Sequence, residues 1–228
     1  MLPMRDSGVE WLGEVPEHWE QRKLKFVAHF SGGGTPSTTN DDYWSGNIPW
    51  VSPKDMKTSL IVDTEDHISE KAIVESAVNL VDPGSVLLVV RSGILKHSIP
   101  VAINAIPVTL NQDMKAIIPN SDLLPMYILY VVTGCQDRLL LEWRKSGATV
   151  ESLEFEYIVN TQWPLPPIAE QQAIFEHLDQ ETSQLDRLVA TIRTQVERLR
   201  VYRQALISAA VTGKIDVRDI DIHLGLEV

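Results

Sequence analysis

The chain has 228 residues, 44% hydrophobic and 22% charged, enough apolar material for one or two soluble globular domains with a real core. No apolar run approaches the roughly 18 residues of a membrane span, Met1 to Trp19 carries four acids and no apolar block, and Cys135 is the single cysteine; a membrane protein, a secretory leader and an internal disulfide framework are thus not expected, and a reducing, cytoplasmic location is. The formal net charge of −11 is spread along the chain, with 13 Lys+Arg against 21 Asp+Glu in residues 1–160 and 7 against 10 in residues 161–228, which argues against a broadly basic nucleic-acid binder but leaves room for a small local basic patch on a module that docks to a basic partner.

From about residue 20 to 160, short apolar runs alternate with Gly, Pro and Asn. The first notable segment is Ser31 to Asn40, in which Gly32, Gly33 and Gly34 permit positive φ and close backbone approach. The polar groups that follow, Thr35, Ser37, Thr38, Thr39 and Asn40, suit hydrogen bonds to phosphates or base edges, although a flexible surface loop accounts for the same composition. Ile48 to Ser52, Ser85 to Val90, Val101 to Ile106 and Ala116 to Ile118 read as buried strands, being short, rich in Val and Ile and bounded by turn residues. Lys54 follows the first of these runs. Arg91 and Ser92 follow the second, which places an arginine where a strand emerges into a loop. Asn111 and Gln112 offer amides suited to adenine edges, and Asn111 and Asp113 equally suit a turn. Leu123 to Leu141 reads as helical, with Leu124, Ile128, Val131 and Val132 on one face. Arg138, Arg144 and Lys145 are placed to reach phosphates or simply to be solvated.

The pattern changes at Trp163-Pro164-Leu165-Pro166-Pro167, where Pro167 suits the first turn of a helix. From Ile168 to about Thr212 there is no Pro or Gly, and Gly213 is placed to end the helix. Leu178, Leu185, Ile192, Leu199 and Leu206 recur every seven residues, with Phe175, Thr182, Val189, Val196, Arg203 and Ala210 in the second seam position. A helix of this length is roughly 66 Å long, more than a 160-residue domain is wide. Part of the seam is therefore expected to pair with another helix.

Motifs for catalysis are weak. Gly213-Lys214 is followed by Ile215, so no phosphate-cradling loop is formed, and no G-x-G-x-x-G opens a helix. His18, His29, His67, His97, His177 and His223 are scattered, so no zinc site is expected. Asp41, Asp42, Asp63, Glu65 and Asp66, with Asp55-Met56-Lys57, offer a nuclease-like metal site only in loose spacing; solvated loop acids explain them better. Cys135 reads as a helix-surface or core thiol.

Several segments together resemble the specificity (S) subunits of type I restriction-modification systems. They are Asp6 to Trp19, Gly33 to Ser37, Tyr43 to Val51, Arg91 to Leu95, Asn111 to Ala116, and above all Leu165 to Ile174 with Tyr202 to Asp216. The resemblance covers nearly the whole chain. It implies a non-catalytic subunit that reads double-stranded DNA and docks methyltransferase (M) subunits, with a restriction (R) subunit joining through M. It also implies no cofactor in this chain, with S-adenosylmethionine, ATP and Mg on the partner subunits. Members of that family carry two recognition domains joined by two long helices in an antiparallel coiled coil. This sequence has one of each, as in a shortened subunit or a fragment.

The expected fold is α+β: a mixed target-recognition domain over 1–163, a long coiled-coil helix over 164–213 and a tail over 214–228. The residues expected at DNA are Gly33, Gly34, Thr35, Ser37, Thr38, Lys54, Arg91, Ser92, Asn111 and Gln112. Those expected to pair two copies antiparallel are Leu178, Leu185, Val189, Ile192, Val196, Leu199 and Leu206. No catalytic or metal site is expected. An assembly adaptor that never reads DNA, or a standalone DNA-cleaving or modifying enzyme, are the alternatives.

Overall fold

A computed structural model describes residues 2–147 and 149–216. Residues 217–228, with His223 and most of the expected tail, lie outside the described residues. The chain divides into two compact units, Met1–Glu176 and His177–Val228.

In chain order the first unit carries β1 (Met4–Asp6), β2 (Glu14–Pro16), β3 (Glu20–Lys23), β4 (Ala28–Gly32), β5 (Ile48–Val51), β6 (Leu60–Ile61) and β7 (His67–Ile68). After α1 (Glu70–Glu75) come β8 (Leu80–Val81), β9 (Val86–Val89), β10 (Val101–Asn104), β11 (Val108–Leu110) and β12 (Met114–Pro119). The unit is completed by α2 (Pro125–Gly134), α3 (Gln136–Trp143), α4 (Phe155–Asn160) and β13 (Gln162–Leu165); α5 (Ile168–Val211) begins in it and continues through the second unit. The fold is thus mixed α and β with a long C-terminal helix, as the sequence pattern predicts.

Two sheets carry the core. One has the order β4-β12-β9-β10-β6, the other β7-β5-β11-β8. Val86, Leu87, Leu88 and Val89 are all fully buried, because β9 is a central strand between β12 and β10. That explains the unbroken apolar run where an alternating pattern would mark a half-exposed strand. A smaller cluster gathers Trp50, Ile68, Ala72 and Val78 beneath Tyr43 and Trp44.

The single helix expected over Leu123 to Leu141 is two helices. Leu124 stays extended before Pro125, which takes the first helical turn. Gly134 ends α2, and Cys135 caps it at φ −108°, ψ 14° before α3 starts afresh. Burial pushes the Cys135 thiol above its usual range, which disfavours the thiolate form.

Proline and glycine bound α5 as expected. Pro167 accepts the first backbone hydrogen bonds, from Glu170 and Gln171. At the other end Gly213 takes φ +70°, and Lys214 N–H donates back to the Ala209 carbonyl at 2.8 Å. The first turns are locked into the first unit. Gln171 is fully buried; its Nε2 donates to the carbonyls of Asp122 (2.9 Å) and Pro166 (2.8 Å), and its Oε1 accepts from Leu124 N–H (2.9 Å). Glu170 accepts from the Trp19 indole at 2.9 Å and pairs with His18 at 2.7 Å. Phe175, expected in the seam, instead lies against Tyr130 with ring centroids 6.3 Å apart. Beyond it, Leu185, Val189, Ile192, Val196, Leu199 and Leu206 are 43–65% exposed.

Candidate nucleic-acid interface

Strand register brings the C-terminal ends of four strands to one edge. β5 and β11 run parallel with Leu110 opposite Val51, so Ser52 to Lys54 and Asn111 to Gln112 leave their strands side by side; Asn111 N–H donates to the Val51 carbonyl at 2.9 Å. Only Asn111 to Asp113 separate β11 from β12, and β12 begins with Met114 opposite Val89 and Lys115 opposite Gly32. The exits of β9 and β4, at Arg91 and Gly33, are thereby drawn to the same place. Loops carried by rigid strand ends are a common way to present a binding surface.

Within this edge the expected residues divide by role. A Cβ on Gly33 would sit 1.9 Å from the Asn111 carbonyl oxygen, and one on Gly34 would sit 2.7 Å from the Ala77 carbonyl oxygen. Gly34 N–H donates to the Leu110 carbonyl at 2.8 Å. These glycines admit neighbouring backbone. Asn111 is buried, and its Oδ1 accepts from Asp113 N–H at 2.8 Å, so it makes the turn. Ser92 caps the short helical turn Gly93–Lys96. Facing outward are Thr35, whose hydroxyl is hydrogen-bonded to Gln112, and Ser37 and Thr38, whose turn is tied to Trp44 through the Ser37 carbonyl (3.1 Å). Gln112 and Arg91 are also exposed.

Sequence reasoning did not place the segment after α3 in this edge. Isolated bridges pair Arg91 with Ser152 and Arg144 with Leu153, and Ser92 N–H donates to the Glu151 carbonyl at 3.0 Å. Arg91, Gln112, Lys145, Thr149 and Ser152 line a cleft of about 470 Å³ there. Lys115 rests over the Phe155 ring, 5.2 Å from its centroid. Single-residue bridges have no periodic signature, so nothing in the pattern marks this wall.

Most cations of the edge face an acid. Arg91 Nε donates to Asp113 at 2.5 Å, Arg144 meets Glu151 at 3.6 Å, and Lys145 meets Glu154 at 3.1 Å. Lys54 lies 2.8 Å from Asp66 and 3.3 Å from Glu65, and the Asp66 carboxylate holds its ammonium above the usual lysine range. Most acids of the loose nuclease-like pattern are occupied by these and similar bonds: Asp55 caps the Ser52 turn, Glu65 also meets Lys57, Asp63 meets His67 and Asp42 meets Lys71. Among the described residues no group of three His, Cys, Asp or Glu is placed to hold a metal ion.

Residues 16–198 match the family described as the type I restriction modification DNA specificity domain. The chain is 34% identical over 215 residues to the specificity subunit of the type I restriction enzyme EcoR124I/EcoR124II of Escherichia coli, covering 91% of this chain and 50% of that protein. It is 32% identical over 191 residues to the MjaIX specificity subunit of Methanocaldococcus jannaschii, covering 82% of this chain and 42% of that one. A solved type I R-M system contains a chain of similar fold, with TM-score 0.72 and 22% identity over 91% of this chain and 48% of that chain. The HsdS subunit of Thermoanaerobacter tengcongensis superimposes with TM-score 0.64 and 21% identity over 93% of this chain and 48% of that subunit. The chain spans about half the length of these relatives.

Proposed function

The chain belongs to the type I restriction modification DNA specificity family, and from that membership we propose that it is the non-catalytic subunit that selects the DNA sequence on which a type I restriction-modification complex acts. It reads one half of a bipartite site in double-stranded DNA and docks methyltransferase subunits, through which a restriction subunit joins. S-adenosylmethionine, ATP and Mg belong to those partners, and the complex works in the cytoplasm.

The observation that carries this reading is the convergence of Thr35, Lys54, Arg91 and Gln112 on one edge of strand ends. The pairing of the local cations with acids implies weak affinity for the chain alone, since each phosphate contact depends on net positive charge that releases counterions. The methyltransferase supplies the missing phosphate contacts. Footprinting the chain with and without its methyltransferase subunit tests this. Base-specific protection by the complex, with little by the lone chain at physiological salt, is expected. A complex that protects no particular sequence would make the chain an assembly adaptor.

The exposed seam of α5 supports an antiparallel homodimer of two copies. Antiparallel pairing sets the Leu and Ile positions of one copy, Leu185, Ile192 and Leu199, opposite the second seam positions of the other, Thr182, Val189 and Val196. Arg203, a poor residue for an apolar seam, snorkels out of it or meets an acid such as Glu176 or Glu181 of the second copy. Two-fold symmetry of the pair restores a second recognition domain, so the target is a spaced palindrome.

A further inference from the structure

We propose that Asp113 is a positioning residue that aims Arg91 at a guanine edge; this rests on the edge being the base-reading surface. Asp113 grips the arginine from both backbone and side chain. Its carbonyl accepts the N–H groups of Val90 (2.8 Å) and Arg91 (3.3 Å), and its Oδ1 accepts the Arg91 Nε–H at 2.5 Å. Asp113 is itself fixed, because its N–H is bound by Asn111 Oδ1 at 2.8 Å and the next residue, Met114, is a fully buried start of β12. The carboxylate side chain is only 21% exposed, against 54% for Arg91. The acid thus lies beneath the arginine.

The consequence follows from the shape of a guanidinium. With Nε bound, its side edge is taken and its end edge, formed by the two Nη groups, points away; among the described residues neither Nη has a partner. That end edge matches the adjacent O6 and N7 acceptors of guanine in the major groove. A fork pinned at Nε loses less freedom on binding than one on an unrestrained side chain. The electrostatics agree. An arginine neutralised by an adjacent carboxylate releases little net counterion and makes a poor phosphate anchor, so its value at a DNA-facing position lies in geometry. On the neighbouring residue, Gln112 is held in the same way by Thr35.

The test selects randomised duplexes with the full chain bound to its methyltransferase subunit. Arg91→Ala should flatten the preference for G at one position by roughly five- to a hundredfold, with the slope of affinity against salt unchanged. Asp113→Asn should flatten the same position, and the double variant should be no worse than Arg91→Ala alone. Because Asp113→Asn removes a negative charge, its affinity for non-specific duplex should hold or rise while specificity falls, the opposite of a merely structural loss. If Asp113→Asn does not fold, Arg91→Lys, which keeps the charge but lacks Nε and the fork, should flatten the same position. Loss of preference in Arg91→Ala but not in Asp113→Asn overturns the role of Asp113 and leaves the reading surface standing. An unchanged profile in Arg91→Ala or Arg91→Lys overturns both the guanine contact and its positioning, and a complex with no sequence preference at all overturns the reading of the edge.

Discussion

Gly33 shows what a residue's type reveals and what it hides. A run of glycines announces that backbone must come close to something; the partner, the carbonyls of Leu110 and Asn111 in the adjoining strand end, is far away in sequence and has no local signature. Adding a methyl there forces backbone apart, so Gly33→Ala should cost about 1–3 kcal/mol in urea unfolding; a variant as stable as the parent contradicts the close approach. Asn111 is similar, since amide chemistry fits a base edge and a turn equally well and only burial decides. Glu170 carries a different expectation. Hydrogen bonds from the Trp19 indole and then from His18 hold its carboxyl below the usual glutamate range. A depressed folded pKa means the stabilisation is present above the ordinary carboxylate pKa and is lost as pH falls through the folded value. Glu170→Gln should therefore lower the thermal midpoint near neutrality, with the gap to the parent closing as the pH falls below the ordinary glutamate range and through the folded value. A gap that stays constant over that range would show that the ionised carboxylate is not what ties His18 and Trp19 to α5.

Long periodic elements are legible and short non-local ones are not. The sequence predicts α5 from Ile168 to about Thr212, and it runs from Ile168 to Val211, because a proline start, a glycine stop and an uninterrupted interior leave little to tertiary context. The helix expected over 123–141 breaks where Gly134 and Cys135 interrupt it; apolar periodicity continues across the break, so hydrophobic spacing alone does not show it. The wall contributed by Arg144, Ser152 and Leu153 consists of isolated bridges and is silent in any window. The same reasoning makes the outer seam testable. Ile192 is 49% exposed, so Ile192→Asp should leave the recognition unit folded while placing two buried charges at the centre of the proposed pair. Sedimentation should show the parent as a dimer at micromolar concentration and the variant as a monomer. A parent that stays monomeric, or a variant that still dimerises, rules out this seam.

A net charge of −11 is the property of the chain least like that of an independent DNA binder, and the pairing of Lys54, Arg91, Arg144 and Lys145 with acids shows how it is distributed at the candidate surface. Under the proposed function, a chain built this way contributes selectivity and leaves affinity and chemistry to its partners. Its family and its mixed fold were legible from ordered motifs along the chain; the bases proposed to be read were not, because they depend on where a few loop side chains point. The claim that this chain sets sequence choice is tested most directly by single-molecule sequencing of DNA from cells that express the methyltransferase subunit with and without it. The account predicts DNA methylation that appears only with the chain, at two identical half-sites in inverted orientation separated by a fixed spacer. Methylation that is the same with and without the chain, or that appears at no defined motif, would contradict it.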